Sequence, residues 1–253
     1  MEEQRTQQID NSQLAEPLSS TLKEFLAGFS ALPPQPNTIN PHYMRYLLNM
    51  LVEDVCSEEP LDHLWWEMVL YLAKKWTGER GDQGQPVLQI MEQLEPLLSE
   101  HFSDDDSQVT LQEVTQKTLF GIMMLSETLS EPKRYFVAPN AVSFAQAHFA
   151  ENAWFRAIYA GRAPVGFVML SLDEEKSEYF VWRFMIGEVY HGRGYGREAM
   201  AEIKAHVKTL PNTKELLLSY GQGPGSPEGF YKKLEFQPTG EVHGEEIVAK
   251  ISL

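Results

Sequence analysis

Apolar positions in the first hundred residues recur at three- and four-residue spacing, the period of helices that bury one face. Leu18, Leu22, Phe25, Leu26 and Phe29 mark a first helix, and Pro33, Pro34 and Pro36 stop it. Asn40-Pro41 opens a second, with Tyr43, Leu47, Met50 and Leu51 along one side as far as Val55. Pro60 and Asp62 precede a third over residues 64–76, closed by the glycine-containing stretch 78–84. A fourth follows Pro86 and carries Val87, Ile90, Met91, Leu94 and Leu98. Four such helices close a small bundle, with Trp65, Trp66 and Trp76 in its core. No catalytic constellation stands in this half. Partner recognition, dimerisation and a lid over a cleft all stay open for it.

The period changes after Asp104-Asp105-Asp106-Ser107, which reads as a solvated linker, so the expected domains are 1–106 and 107–253. Residues 109–114 alternate as a strand does, 117–129 and 143–149 are helical, and 155–159 and 165–172 flank the Gly161-Arg162 turn as a hairpin. A strand over 178–189, a helix over 197–209, a strand over 216–220, a helix beginning at Phe230 and a last strand over 246–253 complete the series. That order predicts an α+β domain: a mixed, mostly antiparallel sheet flanked by helices, preceded by an all-α unit.

Charge divides the same way. Of the formal −15, residues 1–106 carry −13 and residues 107–253 carry −2. A field of that sign opposes phosphate backbones, so nucleic acid is not an expected partner. The longest apolar runs fall far short of a membrane span, the first ten residues are polar and acidic, and the single cysteine, Cys56, builds neither a disulfide nor a cysteine zinc site. These features predict a soluble cytoplasmic protein with no membrane partner and no metal.

The chemistry concentrates in His191-Gly192-Arg193-Gly194-Tyr195-Gly196-Arg197, between a strand and a helix. Alternate glycines let backbone N–H groups converge, and the helix N-terminus adds partial positive charge, which suits a diphosphate. Arg193 and Arg197 add formal charge there. The spacing departs from the dinucleotide fingerprint, and no Gly-Lys-Ser/Thr follows to make a Walker loop.

The run Arg183-Phe184-Met185-Ile186 followed by 191–196 resembles the acetyl-CoA signature of the GNAT superfamily of N-acyltransferases. Gly229-Phe230-Tyr231-Lys232-Lys233-Leu234-Glu235-Phe236 resembles that family's F-Y-x-x-x-G-F segment. Phe136-Val137-Ala138-Pro139-Asn140 and Trp154-Phe155-Arg156-Ala157-Ile158 are similar to the bacterial spermine/spermidine acetyltransferase branch. The resemblance covers about residues 107–253. It implies acetyl-CoA as acetyl donor and the primary amine of a small, polyamine-like molecule as acceptor. It also implies two strands splayed after a bulge, with the pantetheine arm in the gap.

On that resemblance Met185, Ile186 and residues His191, Gly192, Arg193, Gly194, Tyr195, Gly196 and Arg197 hold the cofactor, a backbone N–H near Ile186 polarises the thioester, and Tyr231 is the general acid. A phenol is neutral at physiological pH and carries that proton unaided. Three departures stand out. His191 replaces Gln or Arg, and its imidazole is expected to bond a phosphate oxygen. Glu235 replaces a glycine. Ser226 stands in for an asparagine, as helix cap and candidate CoA contact. Glu228 and Glu178 lead the candidates for the general base, ahead of Glu188, Glu127 and Glu131. Tyr179, Trp182 and Trp154 are candidates to face a cation. A homodimer, or a CoA-binding regulatory protein without turnover, remains an open alternative.

Overall fold

The computed structural model describes residues 15–33, 46–47, 49–50, 61–99, 102–103 and 108–253. The chain divides into two compact units, residues 1–105 and 106–253. No helix among the described residues is long and apolar enough to cross a membrane.

In the first unit, α1 (Leu18–Ala31), α2 (His63–Gly78) and α3 (Gln85–Ser99) are helical. Most of the helix expected from Asn40 to Val55 lies outside the described residues; of it, Tyr46, Leu47, Asn49 and Met50 are helical. Leu22, Phe25 and Phe29 of α1 and Met91, Leu94 and Leu98 of α3 are buried, as their spacing requires, and the two helices pack together. Trp65, Trp66 and Trp76 are core residues. Trp76 stacks on Phe29 at 4.4 Å between centroids, and the Arg80 guanidinium lies 3.0 Å from the Trp76 ring centre. Arg80 Nε donates to the Pro33 carbonyl at 3.2 Å, so backbone oxygen meets a buried cation where the proline run ends α1. A two-residue parallel bridge joins β1 (Leu61–Asp62) to β2 (Phe102–Ser103).

The second unit is built on seven strands: β3 (Val109–Gln112), β4 (Ala153–Ala160), β5 (Ala163–Asp173), β6 (Glu178–Ile186), β7 (Glu215–Tyr220), β8 (Gln237–His243) and β9 (Glu246–Ser252). Their spatial order is β3-β4-β5-β6-β7-β9-β8, and only the β6–β7 pairing is parallel. β5 is buried on both faces over its first eight residues, so it reads as a continuous apolar run and lies at the centre of the core. Helices α4 (Leu119–Met124), α5 (Glu131–Arg134), α6 (Asn140–His148), α7 (Tyr195–Lys208) and α8 (Glu228–Lys233) flank the sheet. Ala199, Met200, Ile203 and Val207 form the buried stripe of α7, which packs against β3 and β6. This is the mixed, mostly antiparallel α+β sheet that the order of elements predicts.

Three expectations are corrected. The expected helix over 117–129 is only six residues of α-helix, tightening to a 3-10 turn over Leu125–Thr128. The strand expected to reach Val189 ends at Ile186, where Gly187 starts a second 3-10 turn, Glu188–Tyr190. β8 has no counterpart among the expected strands, because Gln237-Pro238-Thr239-Gly240-Glu241 is polar and carries a proline and a glycine. It is the sheet's edge strand and mostly exposed, where a missing N–H and polar side chains are tolerated.

Glu235 adopts φ +69°, the left-handed conformation that favours glycine. Its N–H donates to the Lys232 carbonyl at 3.0 Å and the Phe236 N–H to the Tyr231 carbonyl at 3.1 Å, which closes α8. A side chain at such a position costs about 1–2 kcal/mol. Glu235→Gly is therefore expected to stabilise the domain by about 1 kcal/mol, raising its melting temperature by roughly 2–4 °C in a thermal scan. No rise, or a fall, would contradict the strain.

Candidate active site

The site begins with one extra residue. β5 and β6 pair in register up to Met169 opposite Arg183, then resume with Leu170 opposite Val181, so Trp182 bulges out of the ladder. The parallel pairing to β7 covers only Phe180 with Leu217 and Val181 with Leu218. Beyond the bulge β6 and β7 part. Gly187 N–H donates to the Val165 carbonyl at 2.9 Å, which fixes the alternation: odd-numbered residues face β5, and the backbone groups of Phe184 and the Ile186 N–H face the gap.

The gap opens into a cavity of about 630 Å³. One wall is β6 from Val181 to Ile186, another the stretch from Leu129 to Ala138, and a third Ser226, Pro227, Phe230 and Tyr231. At one end lie His191, Gly192, Gly194, Tyr195, Gly196 and Arg197. Gly194, at φ +92°, begins α7, and its carbonyl accepts from Arg197 N–H at 2.9 Å and Glu198 N–H at 3.2 Å. The N–H groups of Gly192, Gly194, Tyr195 and Gly196 have no acceptor among the described residues. A Cβ on Gly196 would stand 3.2 Å from the Phe230 ring, which itself stacks on Phe184 at 5.8 Å. Any larger residue there would press on that ring by a few tenths of an ångström. Arg197 lines the cavity and forms no ion pair among the described residues. Unpaired amides, a helix N-terminus and an uncommitted guanidinium are what a diphosphate requires.

His191 lines this end, but its ring is otherwise engaged. Nε2 is 2.8 Å from the Ile186 carbonyl oxygen, and Nδ1 is 3.3 Å from Lys133 Nζ. A carbonyl only accepts, so Nε2 carries the hydrogen and Nδ1 accepts from the ammonium. Both nitrogens are used, and the expected bond to a phosphate oxygen is replaced by a role in fixing the loop. Arg193 is also displaced from expectation: its guanidinium turns back toward the Val189 carbonyl, at 3.4 Å, and the Tyr190 ring, outside the cavity lining.

Tyr231 is buried in the cavity wall among Tyr220, Phe230 and Phe236. Burial, reinforced by the charge of Glu246, raises its pKa well above that of an ordinary phenol. The group stays protonated at any working pH. Ser226 Oγ donates to the Gly221 carbonyl at 2.5 Å and accepts from Glu228 N–H at 3.1 Å, so it pins the entrance to α8 while lining the cavity.

Neither leading candidate for the base reaches the cavity. Glu178 is exposed at the far end of β6, opposite Asp173, and Glu228 is paired with Lys232 at 2.8 Å, one turn along the outside of α8. Tyr179 is fully buried, its hydroxyl donating to the Pro211 carbonyl at 2.6 Å, and Trp154 stacks on His206. Of the aromatics expected to face a cation, only Trp182 lines the cavity.

Sequence reasoning also missed a clamp. Glu188, just after β6, accepts from Ser130 N–H, from Ser130 Oγ at 3.0 Å and from Lys133 Nζ, while its own N–H donates to Thr128 Oγ1 at 2.9 Å. These bonds hold the 128–133 wall against the turn that follows β6, across nearly sixty residues of sequence, and no local pattern signals them.

Taken together, the sheet parts beside a glycine loop whose unpaired amides face the same cavity. Residues 121–236 match the acetyltransferase (GNAT) family. The spermine/spermidine N(1)-acetyltransferase of Bacillus subtilis strain 168 is 32% identical over 94 residues, which cover 34% of this chain and 62% of that protein. A probable spermine N(1)-acetyltransferase of Bacillus subtilis subsp. natto is 31% identical over 94 residues, with the same coverage of 34% and 62%. The chain thus spans less than two thirds of these relatives' length. An acetyltransferase of Thermus thermophilus has 19% identity and a TM-score of 0.47 over 59% of this chain and 100% of its own. The PaiA N-acetyltransferase of Thermoplasma acidophilum, solved with coenzyme A, has 13% identity and a TM-score of 0.44, covering 57% and 99%.

The clamp sets a pH dependence. Burial opposes the Glu188 charge, but the bonds from Lys133 and Ser130 outweigh it and hold the carboxyl below the usual carboxylate range. A depressed folded-state pKa gives stability that is complete above the unfolded value, about 4.3, and is lost as pH falls through the lower folded value. At pH 7, Glu188→Gln is expected to cost about 1–2 kcal/mol in denaturant unfolding. The gap to wild type should narrow as pH falls below the usual carboxylate range and Glu188 takes up its proton. A gap that stays constant with pH would rule out the charged clamp.

Proposed function

We propose that the second unit transfers an acetyl group from acetyl-CoA to the primary amine of a small acceptor. The observation that carries this reading is that three independent parts share one cavity: the unpaired amides of the glycine loop, the open backbone edge of β6, and the protonated hydroxyl of Tyr231. When bound, acetyl-CoA supplies an activated acyl carbon on a thiolate leaving group.

The residues have the following tasks on this reading. Gly192, Gly194, Tyr195 and Gly196 N–H groups and the Arg197 guanidinium hold the paired phosphates. The backbone of Phe184 and the Ile186 N–H offer strand-like hydrogen bonds to the amide-bearing arm, and Ser226 is a further contact. The Ile186 N–H is suited to polarise the acyl oxygen, since it points into a gap that β5 backs on the other side. Tyr231 delivers the proton that the departing sulfur needs. The chain needs no nucleophile of its own, because a neutral amine attacks directly.

A polyamine-like acceptor is supported by the names of the curated relatives. The 62% span of those relatives leaves the acceptor class as part of this proposal.

Tyr231→Phe keeps the ring packing and removes only the transferable proton. Thiol release from acetyl-CoA with amines such as spermidine should fall about a hundredfold or more in kcat, with the CoA dissociation constant within about twofold of wild type. Wild-type turnover in the variant would exclude Tyr231 as the acid, and failure of the unaltered protein to bind acetyl-CoA would exclude the reading as a whole.

A further inference from the structure

An alkylammonium has a pKa near that of lysine, about 10.4, so at pH 7.5 roughly one molecule in a thousand carries the free lone pair. A site for such an acceptor needs somewhere to receive the positive charge and take its proton. We propose that Glu246 is the catalytic carboxylate that receives the acceptor's ammonium group and takes up its proton, an assignment that rests on the acyl-transfer reading above.

Glu246 is the one carboxylate in the cavity lining among the described residues. It stands at the start of β9, where the pairing of β7 with β9 brings it beside Ser219 and into the same cavity as Tyr231. Ser219 Oγ donates to Glu246 Oε2, which orients the group and leaves Oε1 without a partner among the described residues. No ion pair neutralises it among those residues, in contrast to Glu228 and Glu188, which are both tied to lysines. The groups facing it are Arg183 on β6, Tyr231 on α8 and His243, its register partner on β8, whose ring stacks on Phe180. Arg183 makes its hydrogen bonds to neutral acceptors, the Trp182 carbonyl at 2.7 Å and Gln146 Oε1 at 3.1 Å, and its charge acts on Glu246 without a direct bond. The carboxylate is therefore held in place by Ser219 and accessible from the cavity, with the Arg183 charge nearby but no ion pair formed to it among the described residues.

The proton balance closes with the groups present. Glu246 accepts one proton from the ammonium, and the freed nitrogen forms the C–N bond to the acyl carbon. As the C–S bond breaks, Tyr231 gives its phenolic proton to the thiolate. The nitrogen's surplus proton restores the phenol, and Glu246 releases its own to solvent, for a net yield of amide, free thiol and one proton.

The test uses the full chain with Glu246→Gln, which keeps the bond from Ser219 and removes the charge. With spermidine at pH 7.5, kcat/KM is expected to fall about a hundredfold. That deficit should shrink to within about threefold at pH 10, where solution supplies neutral amine. By calorimetry on the CoA-saturated protein, spermidine affinity should weaken about fivefold or more, with CoA affinity and melting temperature unchanged. Glu246→Asp, which keeps the charge, should recover most of that affinity. Wild-type turnover in Glu246→Gln, or an equal deficit at every pH with unaltered spermidine affinity, overturns the assignment while leaving the transferase reading intact. An unaltered protein that releases no thiol with any amine overturns both.

Discussion

Because Trp182 has no partner opposite the Met169–Leu170 step, β6 turns away from β7 beyond Val181, and the Phe184 backbone and the Ile186 N–H lose the strand that would satisfy them. Backbone polar groups left unpaired away from water are costly, of the order of 1–3 kcal/mol each. A fold keeps such an edge only where something else completes it, as an extended ligand with its own amides would. The cavity, the position of the glycine loop and the reach to Tyr231 all follow from that interrupted pairing.

The loop and the bulge depend on one another through contacts that are short in space and long in sequence. Phe184, on the open edge, stacks on Phe230 of α8, and Phe230 lies against Gly196 in the first turn of α7. Tyr231 follows Phe230, so the packing that seats α8 also sets the phenol in the wall. On the opposite side, Glu188 and His191 tie the 128–133 segment to the end of β6. The charge pattern across the cavity is uneven as a result: an uncommitted guanidinium and unpaired amides at the loop, and a carboxylate with no ion-pair partner among the described residues toward β9. A ligand bearing phosphates at one end and meeting a cationic acceptor at the other matches that gradient.

Glycine spacing, the strand-to-helix junction and the aromatic segment around Tyr231 were legible because each is a local pattern with a local physical cause. The base was not. Glu178 and Glu228 stand near the motifs in sequence, yet one lies at the wrong end of its strand and the other on the outer face of its helix. Glu246 is fifteen positions beyond Tyr231 on a strand whose pattern marks nothing unusual, and it enters the cavity through the β7–β9 pairing. The contact made by His191 was equally out of reach, since its neighbour Lys133 comes from a distant element.

The sequence by itself determined the helical period of the first hundred residues, the change of period near residue 107, the glycine loop at a strand-to-helix junction and the aromatic segment around Tyr231. Periodicity, glycine's positive φ and helix-terminal amides act within a few residues, so they can be read from short stretches of chain. Only the tertiary structure decided which carboxylates meet the cavity, which loop cation faces it, where the sheet opens and that an exposed polar stretch closes its edge. Those outcomes depend on strand register and side-chain direction across contacts about 15 to 60 residues apart, and a one-residue bulge is enough to redirect them.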